Sequence, residues 1–423
     1  MPEEAKIRKY LKDFSLDKVD RPGYFRKTVE DVSASGENRI RVYVNEFWTS
    51  RQRQAASIHE ISYRACFKPQ LPQFFINLLT EPGQVVYDPF SGRGTTAIEA
   101  ALNNRNFIAN DINPLSKILC LPRLTPPSMR NLETRLAAIP FDDSISPEID
   151  LSMFYHPQTE VELLALRSYL LKKKESGKED YLDRWIRMIA TSRLTGHSKG
   201  FFSVYTMPPN QAVSAERQRI INMRRKQSPE YRNVKKLIMR KSRQLVRNLT
   251  DEQLNYLKNA SESALFYEDN AADTYRIKPN SIDLTVTSPP FMDVVQYSDD
   301  NWLRLWFNSI DQEKLDNKIT VVSRIEEWSL VMNEVLKELY RITRSDGWVA
   351  FEVGEVKSGR IKLENEIIPL ALKTGFKCFG VLINSQNFTK TSNIWGIKNN
   401  CSGTNSNRIV LLKKFTGHSP VII

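Results

Sequence analysis

The chain has 423 residues, enough for two or three domains and a large hydrophobic core. Hydrophobic residues make up 41% of it, too many for a disordered chain, and no apolar run approaches the ~18 residues a membrane-spanning helix needs. The formal net charge of +12 is concentrated: residues 217–247 carry twelve Lys and Arg against one acid, Glu230, and the rest is close to neutral. Such a segment implies a polyanionic partner, most simply a nucleic acid, or else a solvated basic helix face. The four cysteines (Cys66, Cys120, Cys378, Cys401) form no CxxC pair, and the four histidines are scattered. The first residues, MPEEAKIRKYLKDF, mix charges where a signal peptide would be apolar. A cytoplasmic, metal-free protein with no membrane partner is the expectation.

Residues 1–57 read as an N-terminal segment outside the main pattern. From residue 58 onward, strands and helices alternate. Strands are predicted at 85–90, 106–111, 264–268, 282–287, 348–353, 378–384 and 408–413, several of them nearly continuous apolar runs. Helical patterns at 72–79 and 95–103 flank the first strand. A helix at 328–342 leads through a Ser345-Asp346-Gly347 turn into the fifth strand, and a helix at 364–373 stops at Gly375. This alternation predicts an α/β fold with a doubly wound, seven-stranded, mostly parallel sheet. The last two strands leave no room for a helix between them, so the seventh is predicted antiparallel. Residues 115–263 interrupt the alternation and hold the whole basic segment. They read as an inserted helical domain, which leaves 58–114 and 264–416 as one discontinuous domain.

After the first strand comes Asp88-Pro89-Phe90-Ser91-Gly92-Arg93-Gly94-Thr95-Thr96, a strand, a glycine turn and a helix start. Gly92 and Gly94 let a backbone approach a ligand at the carboxyl ends of the strands. The run lacks the third glycine of a dinucleotide fingerprint and the Gly-Lys-Ser/Thr of a phosphate loop. Asp111, 19 residues after Gly92, is placed either to accept hydrogen bonds from a ribose diol or to cap the Asn113-Pro114 turn. After the fourth strand comes Ser288-Pro289-Pro290-Phe291. Ser288 Oγ and the Pro289 carbonyl can accept both hydrogens of an exocyclic amine, stiffened in place by two prolines. Phe291 offers a face to a base swung out of the stack.

Asp88–Thr96 resembles the S-adenosyl-L-methionine (AdoMet) loop of the DNA amino-methyltransferases, which modify N4 of cytosine or N6 of adenine. Phe67-Lys68-Pro69 is similar to the family's Phe-x-Pro element, whose ring packs on the cofactor. The resemblance covers about half the chain and implies a Rossmann-like AdoMet methyltransferase. It also implies that Asp269, or else Glu268, meets the adenine amine of AdoMet. Ser before Pro-Pro goes mostly with N4-cytosine in the family, and Asp or Asn mostly with N6-adenine. No Pro-Cys pair is present for C5 chemistry. The implied cofactor set is Phe67, Pro69, Asp88, Pro89, Phe90, Ser91, Gly92, Gly94, Thr95, Asp111 and Asp269, and the implied catalytic set is Ser288–Phe291.

The implied substrate is double-stranded DNA at a specific site, and the implied setting a restriction–modification system with a cognate endonuclease. An RNA or tRNA amino-methyltransferase and a non-catalytic nucleic-acid-binding protein are the competing readings. Within the insert, the loop around Arg193 and Lys199 and the basic residues Arg224, Arg225, Lys235 and Lys236 are the candidate DNA contacts. The connection 385–407, with Phe388, Lys390, Trp395 and Lys398, either touches DNA or closes the sheet as a polar loop.

Overall fold

A computed structural model describes residues 3–16, 28–35, 38–49, 55–63, 66–140, 144–145, 148–207, 212–290, 298–319, 322, 324–356, 361–385 and 406–415. Its strands are β1 Val29–Ser35, β2 Asn38–Asn45, β3 Val85–Asp88, β4 Asn106–Asn110, β5 Leu265–Tyr267, β6 Ile282–Thr287, β7 Thr343–Val353, β8 Glu355–Val356, β9 Ile361–Lys362, β10 Lys377–Ser385 and β11 Ser406–Lys413. Its helices are α1 Glu3–Lys12, α2 Gln70–Leu79, α3 Thr95–Leu102, α4 Pro114–Cys120, α5 Met129–Ala138, α6 Pro157–Glu175, α7 Tyr181–Arg193, α8 Ala215–Arg225, α9 Val234–Val246, α10 Asp251–Ser263, α11 Trp302–Phe307, α12 Gln312–Asp316, α13 Ile325–Ile342 and α14 Glu364–Thr374. No helix among the described residues is long and apolar enough to cross a membrane.

The main sheet runs β1-β2-β10-β11-β7-β6-β3-β4-β5. Pairs from β5 through β4, β3 and β6 to β7 are parallel, and β11 is antiparallel to both β7 and β10. The fold is thus α/β, with all seven expected strands adjacent in one sheet. Two further strands come from residues 29–45, which the sequence reading left outside it: β2 pairs parallel with β10, and β1 closes the edge antiparallel. The fifth strand begins at Thr343 rather than after Gly347. The Ser345-Asp346-Gly347 turn sits in a register break between the Ile282↔Thr343 and Leu284↔Trp348 pairs, with Asp346 at φ +61°.

Alternating residues of the central strands enter two cores. Val86, Leu284, Val286, Trp348 and Ala350 face α2, α3 and the helices of the insert. Tyr87, Ile282, Val349 and Phe351 face α13 and α14. In α13, Trp328, Met332, Val335, Leu336 and Leu339 recur at helical spacing and are buried against the sheet. Among the described residues, Leu132, Leu166, Trp185, Ile189, Ile238 and Leu257 of the insert pack in one cluster with Val86, Ile98 and Phe107. Helix α10, at the end of the insert, lies beside α3 and β4 as the layer leading into β5.

Candidate active site

The parallel strands end at one edge, where their connections carry the motif residues. Asp88 closes β3 and is buried; its Oδ1 accepts from Thr287 Oγ1 (2.7 Å), at the end of β6, and from the Phe90 amide (3.1 Å). Burial pushes its carboxyl up to about 7, and Oδ2 has no hydrogen-bond partner. The loop then turns on Gly92 (φ +51°) and Gly94 (φ +74°), left-handed conformations that favour glycine. A Cβ on Gly94 would stand 2.4 Å from Cys120 Sγ, so the close approach at Gly94 is internal packing rather than room for a ligand.

Arg93 is buried and binds the loop to the preceding segment. It donates to the carbonyls of Ile61 (3.0 Å) and Phe67 (3.4 Å). That brings the half-buried Phe67, and with it the buried Pro69 at the start of α2, next to the glycine loop. Ser91 Oγ donates to the Asp88 carbonyl (2.9 Å), Pro89 O accepts from Asn110, and Thr95 is buried, accepting from Arg93.

Asp111 follows β4. One carboxylate oxygen accepts from the Gly92 amide (2.7 Å) and the other from the Asn113 amide (2.9 Å). The carboxylate therefore locks the glycine turn and caps the next one while keeping half its lone pairs, and burial raises it to about 6. Beyond β5, Asn110 pins the Asp269 backbone at both N–H and C=O. The Asp269 side chain is held by a bidentate pair with Arg276 (2.5 and 3.0 Å), whose guanidinium lies 4.4 Å from the Tyr267 ring centre. Glu268 pairs with Lys117 at 3.6 Å.

At the end of β6, Ser288 is half-buried, Pro289 is buried, and the Pro290 carbonyl accepts from Trp328 Nε1 (3.0 Å). Phe291 lies outside the described residues, as do Phe388, Lys390, Trp395 and Lys398. Glu352 is a buried carboxyl on the neighbouring β7, in the vicinity of the Ser288 hydroxyl, which favours its ionised form. Glu352 accepts from Asn407 Nδ2 (2.5 Å), and burial raises it to about 7. Sequence reading missed Glu352. Its one signal is a carboxylate in the apolar run of 348–353, a polar residue in a strand buried on both faces.

Residues 8–117 match the family model for DNA methylases of the N6/N4 type. Over 97 residues the chain is 33% identical to the orphan methyltransferase M.BamHII of Bacillus amyloliquefaciens, covering 22% of this chain and 37% of that one. It is 40% identical over 53 residues to the type II methyltransferase M.PvuII of Proteus hauseri, covering 12% and 16%. The match thus spans little more than a third of the first relative and less of the second. Among solved structures, TrmN from Thermus thermophilus overlaps at a TM-score of 0.32 with 13% identity, over 86% of this chain and 52% of that one. The family match starts at residue 8 and so takes in β1 and β2.

AdoMet is the cofactor of the amino-methyltransferases, and the donor set fits it. Asp111 retains acceptor positions for a diol, and the orphaned Asp88 Oδ2 suits an ammonium group. Asp269 fits less simply, because reaching an adenine amine requires sharing it with Arg276.

The insert candidates divide. Lys199, Arg224, Arg225 and Lys236 are exposed, with Arg225 stacked 3.8 Å from the Tyr205 ring centre. Arg193 and Lys235 have other surroundings. Arg193 is buried, lying 4.1 Å over Phe201 and bonded to Ser62 Oγ (3.2 Å), because it ends α7 on its core side. Lys235 turns from the exposed face of α9 to donate to the Ile139 carbonyl (2.7 Å).

Proposed function

We propose that the chain transfers the methyl group of AdoMet to the exocyclic N4 amine of cytosine in a specific duplex DNA site, as the modification enzyme of a restriction–modification system. The observation that carries this is Ser288-Pro289-Pro290 at the end of β6, beside Asp88 and with Glu352 behind Ser288. Bound AdoMet supplies an electrophilic methyl on a sulfonium. The exocyclic amine is a weak nucleophile because its lone pair is delocalised into the ring. On this reading Ser288 Oγ and the Pro289 carbonyl each accept one amine hydrogen, so the nitrogen rehybridises toward the methyl. Ser288 passes its own proton toward Glu352, which takes up the proton the amine loses. Phe291 stacks on the flipped base.

Asp111 and Asp88 hold AdoMet, and Phe67 packs on it. The exposed Lys199, Arg224, Arg225 and Lys236 hold the DNA backbone, with the insert 115–263 as the DNA-binding part and 58–114 with 264–416 as the catalytic part. The test is incubation with labelled AdoMet and separate duplex DNA and RNA, followed by digestion to nucleosides. Label in N4-methylcytosine supports the assignment. N6-methyladenine overturns the choice of base, and label in RNA alone overturns the choice of substrate.

A further inference from the structure

Helix α8, in the insert, turns amides inward and apolar side chains outward. Of its 11 residues only Gln218 is fully buried. Gln218 Nε2 donates to the Tyr205 carbonyl (3.1 Å) and to Asn222 Oδ1 (2.7 Å), and Asn222 Nδ2 donates to the Met153 carbonyl (2.8 Å). Gln227, just past the helix, donates to the Tyr205 carbonyl and to Asn222 Oδ1 (2.9 Å each). Ser214 caps the helix start by accepting from the Arg217 amide (3.2 Å). Directional bonds of this kind fix which face α8 presents to solvent.

The presented face is apolar at its centre and cationic at its sides. Arg217, Ile220 and Arg224 recur at i, i+3 and i+7, with Met223 beside them. Met223 is 73% exposed, and neither Met223 nor Ile220 belongs to a hydrophobic cluster of the described residues. Arg217 and Arg224 are exposed. Residues 215–226 hold five Lys and Arg against one acid, Glu216, so the face suits a polyanion. Its head is tied to the catalytic side of the molecule. The Ala212 amide donates to the Asp300 carbonyl (2.8 Å) and Trp302 Nε1 to the Val213 carbonyl (3.1 Å). Trp302 begins α11, the first α-helix after Ser288-Pro289-Pro290 among the described residues.

We propose that α8 reads the DNA sequence: it lies in the major groove of the bound duplex, where Arg217 donates to O6 and N7 of a guanine and Ile220 and Met223 touch the C5-methyl of a thymine. This rests on the DNA reading above and deepens it. The contacts assigned there, Arg224 and Arg225 among them, hold phosphates, and phosphate contacts carry no sequence information. The major groove is about 12 Å wide, and a helix with its side chains is about 10–12 Å across. A guanidinium fork matches the two acceptors of guanine, and an apolar side chain matches the methyl group that marks thymine.

The test selects duplexes from a random-sequence library by binding to the full chain and to its variants. The wild type enriches a short sequence that contains a guanine and a thymine. Arg217→Ala loses the preference for the guanine and Met223→Ala the preference for the thymine, each by roughly tenfold in relative affinity. Both variants melt with the wild type, because both side chains are exposed. Lys236→Ala, on α9, weakens binding and flattens its salt dependence by about one unit of slope, yet enriches the same sequence. A second arm changes the DNA instead. Uracil in place of thymine in the enriched duplex deletes only the methyl group; the wild type then binds several-fold more weakly, and Met223→Ala binds both duplexes alike. Enrichment of one and the same sequence by the wild type and both α8 variants overturns α8 as the reading helix. Duplex binding that neither α8 variant alters assigns this face to a protein partner and overturns the proposal as well. A wild type that enriches no sequence overturns base reading, whereas methyl transfer is read separately by the nucleoside digest, so the two failures are told apart.

Discussion

At the residue scale, the two carboxyls raised to about 7 do different work. Glu352 is useful only when ionised, because a protonated carboxyl cannot take the Ser288 proton. The kcat of the wild type rises with pH through about 7. Glu352→Gln keeps a side chain of the same shape beside Ser288 but loses the base; kcat falls roughly a hundredfold or more and the acidic limb disappears. A variant with the same pH profile as the wild type removes Glu352 from the mechanism. On the proposed reading Asp88 and Asp111 answer to the cofactor instead. Their folded pKa values are raised, so their favourable contribution to folding is complete below the ordinary carboxylate range and is lost as pH rises through about 6 and 7. A cationic ligand reverses this by favouring the ionised forms. AdoMet therefore binds with proton release near pH 6, and its affinity falls as pH drops through 7. Calorimetry in two buffers of different ionisation enthalpy measures the protons, and zero release at pH 6 counts against both contacts. Asp111 was legible because a carboxylate after the second strand has a positional meaning. Glu352 was not, because its importance comes from the neighbour that β7 presents across the sheet.

At the element scale, apolar spacing revealed what burial on two faces dictates: the seven central strands and α13. It did not reveal β1 and β2. The alternation Ile40, Val42, Val44 against Arg39, Arg41 and Tyr43 is a strand signal, but a hairpin at the sheet edge lacks the continuous apolar run of a central strand. On the proposed reading helix α9 serves two functions. Asn233 caps it by accepting from the Lys236 amide, and Leu237, Ile238 and Leu245 are buried while Lys236, Arg240 and Arg243 face outward. Ile238→Ala removes a fully buried side chain and costs about 2–5 kcal/mol in chemical denaturation. Lys236→Ala leaves stability within about 0.5 kcal/mol and weakens duplex binding at low salt. Equal stability of the two variants overturns this division of α9 into a core face and a DNA face.

For the whole molecule, the stretch 115–263, read from the sequence as an inserted domain, shares a hydrophobic cluster with the sheet among the described residues. The sequence boundary at residue 263 follows from where the strand signal resumes. Packing obeys a different constraint, because a parallel sheet needs both faces covered and α10 is part of the layer that covers one of them. Trp185 of the insert and Trp348 of β7 belong to the same cluster, and the segment 57–61 ties α9 to the glycine loop through Ser57, Glu60 and Ile61. Separate domains open separately, whereas elements sharing one core exchange their amide hydrogens in one cooperative event. Hydrogen exchange in increasing denaturant is thus expected to release the slowest amides of α7 and of β7 at the same free energy. Release of α7 several kcal/mol earlier would show the insert to be an independent domain.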